Sequence, residues 1–162
     1  MFWLNEQAGA RLATVAIADH PEIANHLRGA GRSDAVMIPY GADLVTEADP
    51  ALLSPYGIAP HRYFISIARI EPENSILEIV EAFSRRPRGA QLMVLGRLEP
   101  ETNPYHRQVR AAASGEVLFP GAIYEAAALA ALRFHALAYM HGHQVGGTNP
   151  SLVESARRGP MR

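Results

Sequence analysis

Short runs of consecutive apolar residues alternate with segments of helical periodicity after residue 62, and this alternation restricts the fold more than any other feature. The apolar runs are 63–68 (YFISIA), 91–95 (QLMVL), 116–119 (EVLF) and 136–140 (ALAYM). The helical patterns cover 74–85, 104–113 and 124–133, and a last one begins at Pro150. Strands that are apolar along their whole length are typical of a parallel sheet with helices on both faces. We therefore predict an α/β fold built on a Rossmann-like parallel sheet.

A second, smaller unit is predicted upstream. Apolar runs at 14–18 (TVAIA) and 35–39 (AVMIP) flank an amphipathic pattern that begins at Pro21 and ends near Leu27. These runs predict a buried strand–helix–strand piece within residues 1–40. Residues 41–61 contain three prolines, two glycines and no sustained period. Such a composition predicts a linker or a wrapped loop.

The basic residues are all arginine, which limits the chemistry. There are 15 of them and no lysine or cysteine, and the net charge is −1. Schiff-base chemistry, a phosphate-loop lysine, disulfides, thiolate metal sites and a cysteine nucleophile are therefore excluded. A side-chain cation that binds an anion must be arginine, whose planar guanidinium suits phosphate. The charge balance favours no nucleic-acid partner, and without a signal-peptide pattern the expected location is the cytoplasm.

In parallel sheets, ligands bind beyond the carboxyl ends of the strands. The loops to consider therefore follow Ala68, Leu95, Phe119 and Met140. The most informative is 141–154 (HGHQVGGTNPSLVE), which enters a helix through two glycines.

Asn149 is a suitable N-cap of that helix, Pro150 is suitable as its first residue, and Ser151 and Glu154 have capping-box spacing. The helix start would offer N–H groups to an anion, and Gly146 and Gly147 would let a phosphate approach the backbone. The alternative is a plain capped turn.

The loop 68–76 (ARIEPENSI) places Arg69 directly after an apolar strand. A guanidinium at this edge can neutralise a diphosphate through two hydrogen bonds. Alternatively, Arg69 forms a surface ion pair with Glu71 or Glu73. Local sequence does not separate the two interpretations.

These motifs, taken in order, resemble a known family. From Tyr63 to Glu154 the chain is similar to the C-terminal half of retaining glycosyltransferases with the GT-B fold, the group that includes sucrose synthases. The blocks that match are ARIEPEN, VLGR, FPGAIYE and HGHQVGGTNPSLVE. The amino-acid sequences of these blocks are most similar to those of a bacterial branch of rhamnosyl-, galactosyl- and glucosyltransferases for surface polysaccharides.

The resemblance also implies a division of the chain. Residues 1–40 would be a remnant of the N-terminal acceptor-side domain, because VAIADHPEIANHL and VMIPYGAD resemble its last strand–helix–strand. Residues 41–61 would be the interdomain linker, and residues 62–162 a nucleotide-sugar-binding domain that is truncated at its C-terminus.

The resemblance implies roles for individual residues. Arg69 matches the arginine that binds the donor diphosphate, and Asn74 occupies the place of a lysine that usually assists it. Glu154 matches a glutamate that accepts hydrogen bonds from the ribose. The family's other glutamate would fall at Gly146, so we expect His141, His143 or Gln144 to contact the sugar instead. Arg69 and His141 are the predicted catalytic residues.

Further contacts complete the predicted donor site. The phosphates would receive hydrogen bonds from Thr148, Asn149 and Ser151. The base would meet the loop Gly121–Tyr124, which includes Ile123, and the same cleft would be lined by Gly96 and Arg97.

No metal is expected. His141 and His143, with His135 nearby, lack an adjacent carboxylate that would complete a ligand set. The remaining histidines are expected on surfaces or at helix caps: His20, His26, His61 and His106.

The predicted function is transfer of a hexosyl or deoxyhexosyl group from a UDP, GDP or dTDP sugar to a glycan or lipid-linked acceptor. The donor is a substrate, so no cofactor is expected, and retention and metal independence follow from the resemblance. The full-length enzyme is expected in the cytoplasm or at the inner face of the membrane.

Two other classes stay open: a non-catalytic nucleotide-sugar binding module, and a sugar-nucleotide epimerase of the same overall fold. An epimerase would need cleft carboxylates, for which Glu154 is the sole candidate. With most of an acceptor domain missing, this chain alone is expected to bind donor weakly and to transfer sugar poorly or not at all. The apolar edges of residues 1–40 also predict a homodimer or aggregate.

Overall fold

A computed structural model of the chain describes residues 2–32, 34–144 and 148–156. The helices and strands in these residues are α1 (Phe2–Leu12), β1 (Ile17–Ala18), α2 (Pro21–Gly29), β2 (Val36–Met37), β3 (Tyr63–Ile67), α3 (Ile76–Ser84), β4 (Gln91–Leu95), α4 (Pro104–Ala112), β5 (Val117–Gly121), α5 (Ala126–Phe134) and α6 (Pro150–Ala156). Two 3-10 helices cover Pro50–Tyr56 and Pro72–Asn74. The described residues form two compact units, one of 2–42 with 148–153, the other of 43–144 with 154–156.

The larger unit is built on a parallel sheet. Strands β3, β4 and β5 pair in parallel in the order β3-β4-β5. Along the other edge of β3, a parallel bridge joins Ile65 to Tyr139. Backbone hydrogen bonds extend that contact, from Leu137 N–H to Tyr63 O at 2.7 Å and from Met140 N–H to Ile65 O at 2.7 Å. The run predicted as a strand at 136–140 therefore lies beside β3, although it forms one bridge rather than a full strand.

Helices cover both faces of this sheet, as the apolar strands predict. Alternate residues of a strand face opposite sides, so β3 and β4 contribute to two separate cores. One core packs against α5 and the 3-10 helix Pro50–Tyr56, and its buried members include Leu53, Tyr63, Ile65, Met93 and Leu132. The other packs against α3 and α4, and its buried members include Ile76, Val80, Leu92, Val94 and Val109. The predicted α/β fold is confirmed.

Side chains at the helix starts explain where the helices begin. Asn103 accepts hydrogen bonds from Tyr105 N–H at 2.9 Å and from His106 N–H at 3.4 Å, so α4 begins at Pro104 as predicted. Glu125 caps α5 in the same way, which moves the start of that helix to Ala126.

The start of α3 differs from the prediction for a conformational reason. Residues 72–74 form a 3-10 helix, and Ser75 has φ of 51°, in the left-handed region. A left-handed residue interrupts a right-handed helix, so α3 begins at Ile76 rather than at Asn74.

In the smaller unit, the prediction of buried strands is wrong. Only two residues of each apolar run pair, Ile17 with Val36 and Ala18 with Met37, in parallel. The side chains of Ile17, Val36 and Ile38 are 47–59% exposed. A two-stranded sheet offers too little surface to bury both of its faces, whereas the alanines of the same runs, Ala16 and Ala18, are buried.

The segment predicted as a linker contributes to a core. Asp49 accepts a hydrogen bond from Ala51 N–H at 2.8 Å and caps the 3-10 helix, whose Leu53 is 1% exposed. The predicted domain boundaries at 40 and 61 stay a prediction. Among the described helices, none has both the length and the apolar character needed to cross a membrane.

Candidate functional site

The loops singled out by the sequence leave one edge of the larger unit's sheet. Ala68 N–H bonds to Leu95 O at 3.2 Å, and Gly96 N–H bonds to Gly121 O at 3.2 Å. The residue that follows β3 is thus hydrogen-bonded to the last residue of β4, and the residue that follows β4 is hydrogen-bonded to the last residue of β5. Because all four segments run in parallel, the loops after β3, β4, β5 and Met140 share the carboxyl edge.

The order in which successive strands are added to the sheet reverses at β3. From β3 it continues to β4 on one side, whereas the segment 137–140 lies on the other side. Such a reversal of strand order creates a crevice at the carboxyl edge, where ligands of open α/β sheets bind. The two loops that flank this crevice are 68–75 and 141–144, the same two that the sequence motifs favour.

These two loops are packed against each other at Gly142. A β-carbon at this position would lie 2.8 Å from Asn74 O and 2.8 Å from Ser75 Cβ. Carbon atoms do not approach protein atoms so closely, so a residue without a side chain is required here. Gly142 therefore permits the contact between the loops, a role that the sequence did not indicate.

Hydrogen bonds reinforce this contact. Gln144 N–H bonds to Glu73 O at 2.9 Å, and the Gln144 side-chain amide donates to Ser75 Oγ at 2.6 Å. The left-handed conformation of Ser75 is unusual for a residue with a side chain, and such conformations are concentrated at functional sites.

Asn74 lies at the centre of the contact and is 4% exposed. Its Nδ2 donates to Arg69 O at 2.8 Å, and its Oδ1 is hydrogen-bonded to His143 Nδ1. Both polar groups of the amide are thus bonded within the protein. A direct contact between Asn74 and a donor phosphate stays a prediction, and it would require one of these bonds to break.

The guanidinium of Arg69 lies at the surface. Its side chain is 78% exposed, and Nη2 is 3.6 Å from Glu73 Oε1. The ion pair that we considered as an alternative is therefore present, with Glu73 as the partner. Exposed pairs of this kind contribute about 0–1 kcal/mol, so a ligand with more negative charge can replace the carboxylate.

Three rings stack along the segment that follows the bridge to β3. The ring centroids of Tyr139 and His141 are 6.0 Å apart with a 28° interplanar angle, and those of His141 and His143 are 5.8 Å apart at 21°. Alternate residues of an extended chain project to the same side, which explains the stack. The pKa of His141 is lowered, first by partial burial of its ring and second by the proximity of His143. Its neutral form is therefore favoured.

The residues predicted to line the cleft, Gly96 and Arg97, and those predicted to meet the nucleobase, Gly121–Tyr124, lie along the same edge. Gly96 is buried, and a β-carbon there would collide with Ala68 O and approach Ile70 Cγ1 to 3.0 Å. Arg97 is 82% exposed and pairs with Glu99 at 2.6 Å.

In the following loop, Gly121 has φ of 89°, a conformation that favours glycine. Ile123 packs on the core beneath α5, and Tyr124 is 89% exposed. The role of these residues in binding a base stays a prediction.

Residues of the predicted phosphate loop belong partly to the smaller unit. There Thr148 Oγ1 donates to Asp19 O at 3.2 Å, and Asn149 Oδ1 accepts from Leu152 N–H at 3.3 Å, as an N-cap of α6 does. Ser151 lies in the first turn of α6. Gly146 and Gly147 lie outside the described residues, so their predicted role is unchanged.

Glu154, the predicted ribose ligand, forms an ion pair in the larger unit. Its Oε2 is 2.5 Å from Nη2 of Arg133, whose side chain is 16% exposed. The ion pair holds the carboxylate in place, and its oxygens can accept hydrogen bonds from hydroxyl groups.

One histidine that we expected on the surface or at a helix cap is buried instead. His106 is 5% exposed; its Nδ1 accepts from Glu99 N–H at 2.9 Å, and its Nε2 is 2.8 Å from Ile70 O. It therefore joins the loop after β4 to the loop after β3. A single histidine within a helical pattern gives no sign of this contact, which spans 36 residues.

The histidines considered as metal ligands make other contacts. His135 Nε2 is 2.9 Å from Ala48 O, in a different part of the unit from the His141–His143 stack. The described ranges contain no group of three histidine or acidic residues placed to hold a metal ion.

A hollow of about 430 Å³ lies at the opposite, amino end of β5. Its lining includes Arg110, Ser114, Gly115 and Phe119. None of the predicted site residues lines it, and it does not adjoin the reversal of strand order. We therefore place the candidate site at the carboxyl edge and not in this hollow.

Solved structures of other proteins share the fold of this chain. No protein-family model and no curated protein matches the chain. Among solved structures, HepE from Anabaena in complex with UDP and glucose superposes with a TM-score of 0.67 at 18% identity, covering 86% of this chain and 40% of HepE. Sucrose-phosphate synthase from Thermosynechococcus elongatus gives 0.66 at 19%, covering 84% and 36%. UDP-N-acetylglucosamine 2-epimerase from Rickettsia bellii gives 0.54 at 11%, covering 85% and 39%.

The chain thus has the Rossmann-like α/β fold of the C-terminal half of GT-B glycosyltransferases. It spans 36–40% of the length of the three structures that it resembles. At identities below 20%, the likeness establishes the fold and not the reaction.

Proposed function

We propose that the chain binds a nucleoside-diphosphate sugar and is the donor-binding portion of a glycosyltransferase. One observation supports this most: Arg69 and the segment 141–144 belong to the two loops that flank the reversal of strand order. The loops are joined by Gly142 and by the bonds of Asn74 and Gln144. A cation and several hydrogen-bonding groups are therefore assembled where this fold binds ligands.

The diphosphate is assigned to Arg69. Its guanidinium is exposed and is paired only weakly with Glu73. A diphosphate brings more negative charge than one carboxylate and accepts two parallel hydrogen bonds from the planar fork. Exchange of the carboxylate for the diphosphate is therefore favourable. The contacts of the phosphates with Gly146, Gly147, Thr148, Asn149 and Ser151 stay a prediction from the sequence.

The sugar is assigned to the residues after the bridge to β3. His141, His143 and Gln144 supply imidazole and amide groups, which suit the hydroxyls of a hexose. The nucleoside is assigned to the loops after β4 and β5 and to Glu154.

The reaction is proposed to depend on the departure of the diphosphate. As the bond between the anomeric carbon and the phosphate oxygen breaks, its electron pair passes to the diphosphate, whose added charge Arg69 stabilises. The acceptor hydroxyl forms the new bond to the anomeric carbon and gives its proton to a phosphate oxygen of the donor. His141, which is favoured in its neutral form, contacts the transferred sugar. The proposed reaction needs no bound metal and retains the anomeric configuration.

The structural neighbours agree with a sugar nucleotide as the ligand. HepE was solved with UDP and glucose and with UDP-glucose. A UDP, GDP or dTDP sugar is therefore the proposed donor class, and a glycan or lipid-linked molecule the proposed acceptor.

A second function, sugar-nucleotide epimerisation, is favoured by one comparison, the likeness to the Rickettsia epimerase. A non-catalytic binding module would share the site but lack turnover. The three are separated by incubation of the chain with UDP-N-acetylglucosamine or UDP-glucose, with and without a glycan acceptor. Acceptor-dependent release of UDP indicates a transferase, and acceptor-independent conversion of the sugar indicates an epimerase. Binding alone is expected both of a module and of an isolated donor-binding portion, and it excludes the epimerase.

Calorimetric titration with UDP-, GDP- and dTDP-sugars tests the proposed site directly. Arg69→Ala is expected to weaken binding of every donor by about ten- to a hundredfold, the effect of losing a charge-assisted hydrogen bond. Arg86→Ala is the matched control, because Arg86 is exposed between α3 and β4, at the amino edge of the sheet. Glu73→Gln removes the competing carboxylate and is expected to leave affinity equal or higher. Equal affinities of Arg69→Ala and Arg86→Ala would refute the assignment of the diphosphate.

A further inference from the structure

We propose that Asn74 is a positioning residue that determines which nitrogen of His143 holds the proton, so that His143 presents Nε2 as a hydrogen-bond acceptor to the donor sugar. The part of this inference that concerns the sugar rests on the proposed function. The part that concerns the proton rests on the hydrogen bonds alone.

The first step concerns the orientation of the Asn74 amide. Nδ2 is 2.8 Å from Arg69 O, a carbonyl oxygen that can only accept. The amide nitrogen, which can only donate, must therefore be the atom on that side. Its oxygen is then the atom that faces His143. The backbone of the Arg69 loop thus defines the orientation of the amide.

The second step concerns the imidazole. Asn74 Oδ1 can only accept, so the atom that bonds to it, His143 Nδ1, must donate and hold a proton. In the neutral ring, the other nitrogen then has a free electron pair and accepts. Within the described residues, the His143 ring has no second hydrogen-bond partner, so Nε2 is available to a ligand.

Burial makes this arrangement specific. Asn74 is 4% exposed, so a lost hydrogen bond would not be replaced by bulk water. The stack on His141, with centroids 5.8 Å apart, restricts the plane of the His143 ring. The hydrogen bond and the stack together define both the position and the protonation of the ring.

A consequence for recognition follows. An acceptor at Nε2 binds a hydroxyl that donates, and the hydroxyls of a hexose are such donors. A hexose attached to a nucleoside diphosphate would therefore gain a hydrogen bond that the free diphosphate cannot form. Asn74 affects this bond to the sugar through His143.

The experiment uses the whole 162-residue chain, labelled with ¹⁵N. Long-range ¹H–¹⁵N spectra at about pH 8, where imidazoles are neutral, distinguish the two neutral forms of each histidine. The expected result is the Nδ1–H form for His143, the less common form of free histidine. A spectrum with the Nε2–H form would overturn the proposal, whatever the chain binds.

Two variants separate positioning from a purely structural role. Asn74→Leu removes both hydrogen bonds, and His143 is expected to change to the Nε2–H form. Asn74→Asp keeps an acceptor opposite Nδ1 and is expected to keep the Nδ1 proton. If Asn74→Leu does not fold, the spectra of the unchanged chain and of Asn74→Asp still decide the question.

Binding of UDP and of UDP-glucose gives the functional readout. Asn74→Leu is expected to lower affinity for UDP-glucose by about fivefold more than affinity for UDP, the effect of one hydrogen bond to the sugar. Equal losses for both ligands would contradict the contact with the sugar. If His143 has the Nδ1 proton but neither ligand binds, the proposed function fails while the control of the proton by Asn74 stands.

Discussion

Gly142 lies against the backbone of Asn74, at a distance that no residue with a side chain could adopt. A β-carbon on Gly142 would be 2.8 Å from Asn74 O. This contact joins the loop that follows β3 to the loop that follows the neighbouring segment 137–140. The candidate site is therefore a junction of two loops and not a property of either motif alone.

Gly142→Ala should destabilise the protein, because the added carbon must push the two loops apart. The expected loss is about 1–3 kcal/mol in the free energy of unfolding, measured by urea denaturation. Gly115→Ala is a matched control, since a β-carbon there meets nothing within 4 Å. Its expected change is within about 0.5 kcal/mol. Equal stability of the two variants would mean that the junction is looser than the structure shows.

His106→Leu should also destabilise the protein, although leucine matches the apolar surroundings. The substitution leaves the buried Ile70 O and the partly buried Glu99 N–H without their partner. The expected cost is about 2–3 kcal/mol in the free energy of unfolding. Gln108→Ala, an exposed change on the same helix, serves as the control. A loss no larger than that of the control would show that water replaces the imidazole.

His141 should give stability a dependence on pH. Its pKa in the folded chain is below the ordinary value of 6.5. Between those two pKa values the unfolded chain binds more protons, so the free energy of unfolding rises with pH. This contribution is complete above the ordinary pKa and is lost as the pH falls from that value through the lower pKa of the folded chain. His141→Asn should abolish this part of the slope, measured by urea denaturation across about pH 5 to 8.

The cause of the lowered pKa can be tested separately. Burial of the ring is the larger cause and repulsion from His143 the smaller. Removal of the second charge by His143→Gln should therefore raise the pKa of His141 by part of the shift, followed by NMR titration of the ring proton. An unchanged or lower pKa would exclude the repulsion.

Much of the fold was predictable because its signals are local. The strands at Tyr63–Ile67 and Gln91–Leu95 match the apolar runs almost residue for residue, since strands buried on both faces need continuous apolar sequence. Asn149 and Pro150 predicted the start of α6 because capping depends on neighbouring residues.

The features that were not predicted depend on contacts between residues that are far apart in the sequence. Asn74 and His143 are 69 residues apart, and His106 and Ile70 are 36 apart, so no periodicity or spacing relates them. The apolar runs at 14–18 and 35–39 failed as buried strands because burial depends on what covers a sheet, which composition does not encode. Helix α1 was not predicted because its sequence lacks a clear N-cap and a regular apolar face.

The central claim is that the junction of the loops 68–75 and 141–144 binds a sugar nucleotide, with the diphosphate at Arg69 and the sugar at 141–144. Titration of the ¹⁵N-labelled chain with UDP-glucose, followed by amide chemical shifts, tests it most directly because weak binding is also detected. The predicted result is that the largest shifts occur at Arg69–Ser75 and His141–Gln144, and that they are lost in Arg69→Ala. The claim would be contradicted if these amides did not respond, or if the shifts were confined to the hollow beside Arg110 and Phe119.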